Sequence, residues 1–233
     1  TSHLTSVYML STNDVWAVGW YGKTIHWNGS SWTLVPSPTK RDLHSVFMLG
    51  SSDVWAVGDY GTIIRWDGRV WYNVSSPTTR HLYSVYMLSP SNGWAVGALL
   101  STVIHWDGAT WENVSTYHGG TMLFSVHFLS PSDGWAAGWK IIHWNGALWE
   151  NVPSPAFQRL ESVHMLGPTD GWAVGRDGWV IRWNGTHWRN WTSPATYTLY
   201  DVFMVSANDV WAVGSYGTII HWDGNYWNTA ESP

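Results

Sequence analysis

The chain has 233 residues, of which 22 are tryptophan and only 12% are charged, and its net charge is −5 with neutral histidines. So many large aromatic residues exclude a disordered chain, and the negative charge argues against nucleic-acid binding, which needs a basic surface. There is no cysteine, which excludes disulfide and thiolate chemistry, and no apolar run approaches the roughly 20 residues that span a bilayer.

The chain is built from repeats of one motif. A WAVG or WAAG tetrapeptide begins at Trp16, Trp55, Trp94, Trp135, Trp172 and Trp211. The intervals are 39, 39, 41, 37 and 39 residues, so six units fill the chain. The predicted boundaries are 1–38, 39–77, 78–117, 118–155, 156–194 and 195–233. Periods of this length indicate that each unit is one supersecondary element, and we expect a single domain made of six such elements.

Each unit predicts four short strands in chain order. The first has the pattern LxSVxML, as at 43–49, and the second is VWAVG. The third is TIIHW or a close variant, and the fourth begins at the tryptophan of Asp/Asn-Gly-x-x-Trp and runs to a Ser-Pro pair. Gly, Asn, Asp, Ser and Pro separate these segments, as turns require, and no segment has helical periodicity.

The third strand is apolar at consecutive positions, such as Ile63-Ile64, which predicts a sheet covered on both faces. Short strands of this kind, four to a unit, predict an all-β, six-bladed β-propeller with four antiparallel strands per blade. A linear stack would need polar end units, whereas the end units here are as rich in tryptophan as the others, so a closed ring is favoured. No strand is exchanged between the chain ends in this phasing, and closure would rest on apolar contact between the first and last blades.

One stretch carries a resemblance to known families. The segment DVWAVGDYGTIIRWDGRVW at 53–71 resembles the repeats of photosystem assembly-factor propellers and of Asp-box (sialidase-type) propellers, and the resemblance extends over all six units. The turn here is Asp/Asn-Gly-x-x-Trp, one residue shorter than an Asp-box and without its leading Ser/Thr. The resemblance implies the propeller fold and implies no particular activity, because such blades occur in glycosidases, lectins, assembly factors and structural modules.

The histidine of the third strand recurs as a column. The residues of this column are His26, Arg65, His105, His143, Arg182 and His221. A column that accepts both His and Arg argues against metal ligation, and a sixfold repeat argues against a single catalytic centre. We therefore predict a structural role, in which each side chain is satisfied by the strand-one Ser/Asp and the Asp/Asn before strand two of its own blade. This network resembles the polar network within WD-repeat blades. We expect no metal, no cofactor and no catalytic residue.

The tryptophan columns are predicted to form the core between blades, because each ring can bury on the order of 200 Å². The alternative is a set of platforms for stacking sugars.

The units differ in the loop between strands two and three and in the link to the next blade, so this variable end is the candidate binding surface. The predicted ligand-binding residues are Trp20, Tyr21, Tyr60, Tyr117, His118, Trp139, Lys140, Arg176, Asp177, Trp179 and Tyr216. Aromatic rings with charged neighbours suit the recognition of glycans or peptides. The alternative is that these loop-tip rings only pack on neighbouring loops.

These features favour a non-enzymatic binding propeller at the cell surface or outside the cell, with a glycan as the leading ligand. Five Asn-x-Ser/Thr triplets, at Asn28, Asn73, Asn113, Asn184 and Asn190, suggest an exported glycoprotein. The alternative is a protein-interaction, structural or assembly-factor module of a longer surface protein, and the chain start TSHLTSVYML suggests a mature or excised region. A sialidase-like glycosidase is the third hypothesis, disfavoured because the spare acidic residues form no recognisable catalytic pair.

Overall fold

The computed structural model describes residues 3–99, 102–114 and 121–231 of the chain. The chain divides into two compact units, Thr1–Ser115 and Thr116–Pro233. Each unit contains three antiparallel sheets of four strands. Across the described ranges there is no α-helix, and hence none of the length and apolar character needed to cross a membrane.

The first unit contains twelve strands. They are β1 (Leu4–Ser11), β2 (Asp14–Gly19), β3 (Thr24–Trp27), β4 (Trp32–Leu34), β5 (Leu43–Gly50), β6 (Asp53–Gly58), β7 (Ile63–Trp66), β8 (Trp71–Asn73), β9 (Leu82–Ser89), β10 (Asn92–Gly97), β11 (Val103–Trp106) and β12 (Trp111–Asn113). Three-residue 3-10 turns follow β2 and β6, at Trp20–Gly22 and Asp59–Gly61.

The second unit repeats this arrangement. Its strands are β13 (Leu123–Ser130), β14 (Asp133–Gly138), β15 (Ile141–Trp144), β16 (Trp149–Val152), β17 (Leu160–Gly167), β18 (Asp170–Gly175), β19 (Val180–Trp183), β20 (Trp188–Trp191), β21 (Leu199–Ser206), β22 (Asp209–Gly214), β23 (Ile219–Trp222) and β24 (Trp227–Ala230). The 3-10 turns here are Arg176–Gly178 and Ser215–Gly217.

Every four consecutive strands pair in sequence order to form one sheet, so blade 1 is β1–β4 and blade 6 is β21–β24. The predicted six-bladed β-propeller with four antiparallel strands per blade is confirmed. Antiparallel order places the strand two–three loop and the link to the next blade at the same end of each blade, which we call the loop end. The turns joining strands one to two and three to four lie at the other end, which we call the turn end.

The turn between strands three and four repeats one side-chain device. In blade 2, Asp67 Oδ1 accepts hydrogen bonds from the backbone N–H groups of Arg69 (2.8 Å) and Val70 (2.9 Å). The residues that do the same elsewhere are Asn28, Asp107, Asn145, Asn184 and Asp223. These backbone hydrogen bonds lower the pKa of Asp67. The next residue, Gly68, has φ +93°, a left-handed conformation that favours glycine. The Asp/Asn-Gly pair therefore specifies this turn locally.

Tryptophan rings join successive blades within each unit. Trp16 of blade 1 meets Trp71 of blade 2 edge to face, with ring centroids 5.0 Å apart and planes at 90°. Trp172 of blade 5 meets Trp227 of blade 6 in the same way, at 5.1 Å and 87°. All four rings are buried, so the tryptophan columns form the core at these positions, as predicted. Edge-to-face geometry adds to the hydrophobic contribution of each ring.

Two sheets leave part of this apolar surface exposed. In blade 1, Val7 is 65% exposed and Trp32 is 47% exposed, although the equivalent valine and tryptophan of blade 2 are buried. In blade 6, Trp211 is 40% exposed, although the WAVG tryptophan is buried in every other blade. Val7, Trp32 and Trp211 are therefore not part of the buried core, although their counterparts in other blades are.

Candidate functional site

The His or Arg of strand three bonds, in every blade, to the Asp or Asn that begins strand two of the same blade. Arg65 Nε donates to Asp53 Oδ1 at 2.8 Å, and Arg182 donates to both oxygens of Asp170 at 2.9 and 3.1 Å. Each histidine forms a hydrogen bond through Nε2 to an Oδ1 atom at 2.8–2.9 Å. The pairs are His26 with Asp14, His105 with Asn92, His143 with Asp133 and His221 with Asp209. Each side chain has its own partner in its own blade, which is compatible with the predicted structural role.

Four of the strand-one serines bond to the next blade, so for these four the expectation that they satisfy the strand-three His or Arg was wrong. The hairpin register of blade 2 places Ser45 opposite Val57, whereas Phe47 is opposite Trp55, the residue that pairs with Arg65. Ser45 Oγ instead accepts a hydrogen bond from the backbone N–H of Val85, in the next blade, at 3.2 Å. In the same way, the backbone N–H groups of Val46, Val163 and Val202 donate to the Oγ atoms of Ser6, Ser125 and Ser162, respectively. These four serines therefore link neighbouring blades. The expectation failed because spacing along the chain does not show which residues face each other across a hairpin.

The loop end carries an unusual backbone feature. In five blades the second residue of the strand two–three loop is left-handed although it is not glycine. These residues are Tyr21 (φ 60°), Tyr60 (φ 54°), Leu99 (φ 55°), Asp177 (φ 54°) and Tyr216 (φ 56°). This conformation costs about 1 kcal/mol or more for an L-residue. The side chains point outward, and Tyr21 and Tyr216 are 71% and 88% exposed. The loops thus hold strained polar and aromatic tips in solvent.

Two predicted residues of the first unit, Trp20 and Tyr60, lie in separate ring contacts, and the backbone N–H of the third, Tyr21, donates to Asp42 Oδ1 at 2.7 Å. Trp20 packs against His3, with ring centroids 4.4 Å apart. Tyr60 packs against His81 at 4.9 Å, and the Arg41 guanidinium lies over the Tyr60 ring at 5.3 Å. Arg41 Nη1 also donates to the Tyr60 carbonyl oxygen at 3.2 Å, so this arginine fixes both the ring and the backbone of the loop.

A groove opens beside Tyr60. It has a volume of about 420 Å³, and its lining includes Arg41, Tyr60, Thr62, Asn73 and Thr78. Most of these side chains carry hydrogen-bonding groups, so the groove offers donors and acceptors next to an exposed aromatic ring.

The predicted residues of the second unit lie at the loop ends of blades 4 to 6. Trp139, Lys140, Arg176 and Asp177 are exposed there. Two of the sequence-predicted residues, Tyr117 and His118, lie outside the described residues.

Two ring pairs complete the loop ends of the second unit. Trp179 packs against Phe157 at 4.8 Å, and Tyr216 packs against Tyr197 at 4.8 Å. Ser215 Oγ donates to Tyr200 Oη at 3.0 Å, which brings a third tyrosine to this loop of blade 6. Sequence reasoning missed Phe157, Tyr197 and Tyr200. Phe157 and Tyr197 lie in the variable link to the next blade, so that variability could have identified them.

A cluster that the sequence did not predict lies at the loop ends of blades 2 and 3. His44 Nε2 and His81 Nδ1 lie 2.8 and 2.5 Å from the same oxygen, Asp59 Oδ1. Burial, the largest influence, raises the pKa of Asp59, but hydrogen bonds and charge from the two histidines outweigh it, and the net effect lowers this pKa. We call these three residues the His-Asp cluster. The sequence signal for it was that all three residues differ from their counterparts in most other blades.

Another histidine pair lies on strand one of blades 4 and 5. The rings of His127 and His164 are 4.5 Å apart, and His164 Nδ1 accepts a hydrogen bond from the backbone N–H of Met204 at 2.7 Å. Burial lowers the pKa of His127 to about 3, with a further contribution from His164. Burial also lowers the pKa of His164 to about 4. Both imidazoles are therefore neutral at pH 7.

Comparison with solved structures shows what this chain is similar to. YCF48 bound to a D1 peptide matches with a TM-score of 0.77 and 18% identity, over 98% of this chain and 81% of that chain. YCF48 from Cyanidioschyzon merolae gives 0.74 and 17%, over 98% and 85%. The WD40 β-propeller domain of Doa1 gives 0.79 and 13%, over 98% and 83%. At these identities the likeness shows the fold alone.

The chain matches no protein-family model and no curated protein. The resemblance to photosystem assembly-factor propellers is matched in fold by the two YCF48 structures, whereas the Asp-box resemblance is not shown.

Proposed function

We propose that this protein is a protein-interaction module that binds extended polypeptide segments at the loop ends of its blades. The observation that carries the proposal is the contrast between the two ends of a blade. The turn end repeats one Asp/Asn-Gly device in all six blades, whereas the loop end presents side chains that differ from blade to blade. Residues that the fold does not dictate are free to serve recognition.

In the first unit, the binding chemistry is concentrated around Tyr60. Its ring is 59% exposed and can pack on an apolar side chain, while Arg41 holds the ring and adds a positive charge. The polar groove beside it can accept the backbone amide and carbonyl groups of a peptide. Aromatic and arginine side chains of this kind are enriched at the energetic centres of protein interfaces.

In the second unit, the tyrosines of blade 6 provide an equivalent surface. Tyr197 and Tyr216 are paired and both are largely exposed, and Tyr200 adds a hydroxyl group next to them. Tyrosine combines a large rigid ring with a hydrogen-bonding tip, which suits contact with a polypeptide at low entropic cost.

The comparisons support a peptide ligand more than a glycan ligand. One of the similar structures is that of YCF48 bound to a D1 peptide. Glycan binding, export and glycosylation stay predictions from the sequence. We propose no catalytic activity for the module.

A selection experiment tests the proposal. A phage-displayed library of random peptides is selected against the full chain, and the affinity of the enriched peptides is measured for wild type, Tyr60→Ala and Tyr216→Ala. We expect at least one of the two substitutions to weaken binding by about tenfold or more, because large aromatic anchors dominate such interfaces.

Tyr226→Ala is the matched control for Tyr216→Ala. Both tyrosines are in blade 6, and Tyr216 is 88% exposed and Tyr226 72%, but Tyr226 belongs to the turn end. The control should bind as wild type does. No enrichment of any peptide, or a loss of affinity with Tyr226→Ala alone, would contradict the proposal, and binding on a glycan array without peptide binding would restore the lectin hypothesis.

A further inference from the structure

We propose that the His-Asp cluster is a binding site for one divalent transition-metal ion, with Zn²⁺ as the best fit. His44 Nε2, Asp59 Oδ1 and His81 Nδ1 all lie within 4.8 Å of one another. Throughout residues 3–99, 102–114 and 121–231, this is the single group in which three such ligand atoms come together.

Repetition of the fold does not explain the cluster. His44 is the second residue of strand one, where the other blades have Thr5, Tyr83, Phe124, Glu161 and Tyr200. Asp59 is the first residue after strand two, where they have Trp20, Ala98, Trp139, Arg176 and Ser215. His81 precedes strand one, where they have His3, Asp42, Met122, Arg159 and Thr198. The histidines of the repeated column bond to Asp or Asn at strand two within a single blade, whereas this cluster joins two blades.

The ligand set selects the class of metal. Two imidazoles and one carboxylate are the donors of many zinc sites, whereas Ca²⁺ and Mg²⁺ prefer oxygen ligands alone. Zinc bonds of about 2.0–2.2 Å in tetrahedral geometry separate the ligand atoms by roughly 3.3 Å. The present N–O distances of 2.5 and 2.8 Å would therefore lengthen by less than about 1 Å, which rotation of the Asp59 carboxylate can supply.

The surroundings hold the three ligands in place. The Asp59 backbone N–H donates to Asp42 O at 2.9 Å, and Asp59 O accepts from Thr62 Oγ1 at 2.6 Å. The Tyr83 ring lies 5.4 Å from the His44 ring and is parallel to the His81 ring, with a centroid distance of 6.3 Å. A ligand set that is ordered before the ion binds loses little entropy on binding.

The cluster is also accessible to solvent. The His81 side chain is 37% exposed, and the His44 and Asp59 side chains are each 24% exposed. Three protein ligands leave a fourth tetrahedral position for water or for a donor atom from a bound partner.

The test is a titration of the full chain, freed of metal by a chelator, with ZnCl₂ by isothermal calorimetry and with CoCl₂ by visible absorption. We expect one Zn²⁺ per chain, and Co²⁺ should give the visible bands of a tetrahedral site. The variants are His44→Tyr, Asp59→Ser and His81→Thr. Blade 6 has the substituted residue types at the same positions, as Tyr200, Ser215 and Thr198, so the variants are expected to fold.

Each variant should weaken Zn²⁺ binding by more than about tenfold, because each removes a direct ligand. His187→Gln is the control, since it removes an exposed histidine at the turn end of blade 5 and should leave the titration unchanged. The proposal is overturned if wild type binds no Zn²⁺ at one equivalent, or if folded variants bind as tightly as wild type. The outcome does not depend on whether the protein binds peptides.

Discussion

At the scale of single residues, the same side chains have different roles according to whether the repeat fixes them. His26, Arg65 and their equivalents each bond to one Asp or Asn within the blade, and these bonds recur six times. Among the residues that the structure describes, His44 and His81 form a cluster with Asp59 that occurs once. The position of a histidine in the repeat therefore distinguishes the repeated within-blade pairs from the contacts that are specific to one place.

The repeated pair can be tested in blade 5. Asp170→Ala removes both hydrogen bonds to the half-buried Arg182 guanidinium, and we expect the free energy of unfolding to fall by about 1–2 kcal/mol. Asp170→Asn should cost less than half as much, because Asn92 serves in the same role in blade 3. Urea unfolding measures both values. If Asp170→Ala leaves the free energy of unfolding unchanged, the Asp170–Arg182 pair contributes nothing to the stability of the fold.

The His127–His164 pair predicts a loss of stability in acid. The folded protein keeps both imidazoles neutral, whereas the unfolded chain protonates them below about pH 6.5. Their contribution is therefore intact above pH 6.5 and is lost as the pH falls toward 4, by about 2 kcal/mol for each histidine at pH 5.

His127→Phe tests this assignment, because Phe47 and Phe203 occupy the same row in other blades. Between pH 7 and pH 5 the variant should lose about 2 kcal/mol less unfolding free energy than wild type does. Equal losses, measured by denaturant unfolding at the two pH values, would mean that His127 is not held neutral in the folded protein.

At the scale of elements, the strands and turn-end turns have nearly the same sequence in every blade, whereas the loop-end loops differ. The strands and the turn end repeat because buried tryptophans and Asp/Asn-Gly turns leave few alternatives. The loop end places Tyr60 and Tyr216 in a strained left-handed conformation that the fold does not require of a tyrosine, since Asp177 takes the same position in blade 5. Backbone strain of this kind clusters at functional sites, and it is therefore compatible with the proposed role of these loops in recognition.

The packing of blades predicts that substituting equivalent tryptophans by alanine lowers the free energy of unfolding by unequal amounts. Trp71→Ala removes a buried ring that contacts Trp16 and should lower the free energy of unfolding by about 3–5 kcal/mol. Trp32→Ala alters the same position in blade 1, where the ring is 47% exposed, and should cost about half as much. Chemical denaturation compares the two variants. An equal loss would mean that the Trp32 face is covered in solution.

At the scale of the whole molecule, the sequence predicted the number of blades and their strands because each depends on local patterns repeated six times. The tryptophan intervals set the blade count, and Gly and Asp/Asn mark the turns. Contacts between blades could not be predicted in this way. Ser45 bonds to Val85, 40 residues away, and the His-Asp cluster draws on three elements, so neither follows from spacing along the chain.

The candidate surface was predicted in part. Variation between units identified Tyr60 and Tyr216, because their loops differ from blade to blade. The prediction did not include Phe157 and Tyr197. These two residues lie in the links to the next blade and pack against the predicted residues Trp179 and Tyr216. A pattern within one chain reports which positions are free of the fold, but not which of them meet in space.

Hydrogen exchange of the full chain, with and without a peptide enriched in the selection, tests the central claim most directly. Our account predicts slower exchange at loop-end segments around Tyr60 or Tyr216, with the turns that begin at Asp67 and Asp223 unchanged. Protection confined to those turns would contradict the division of each blade into a repeated structural end and a variable binding end.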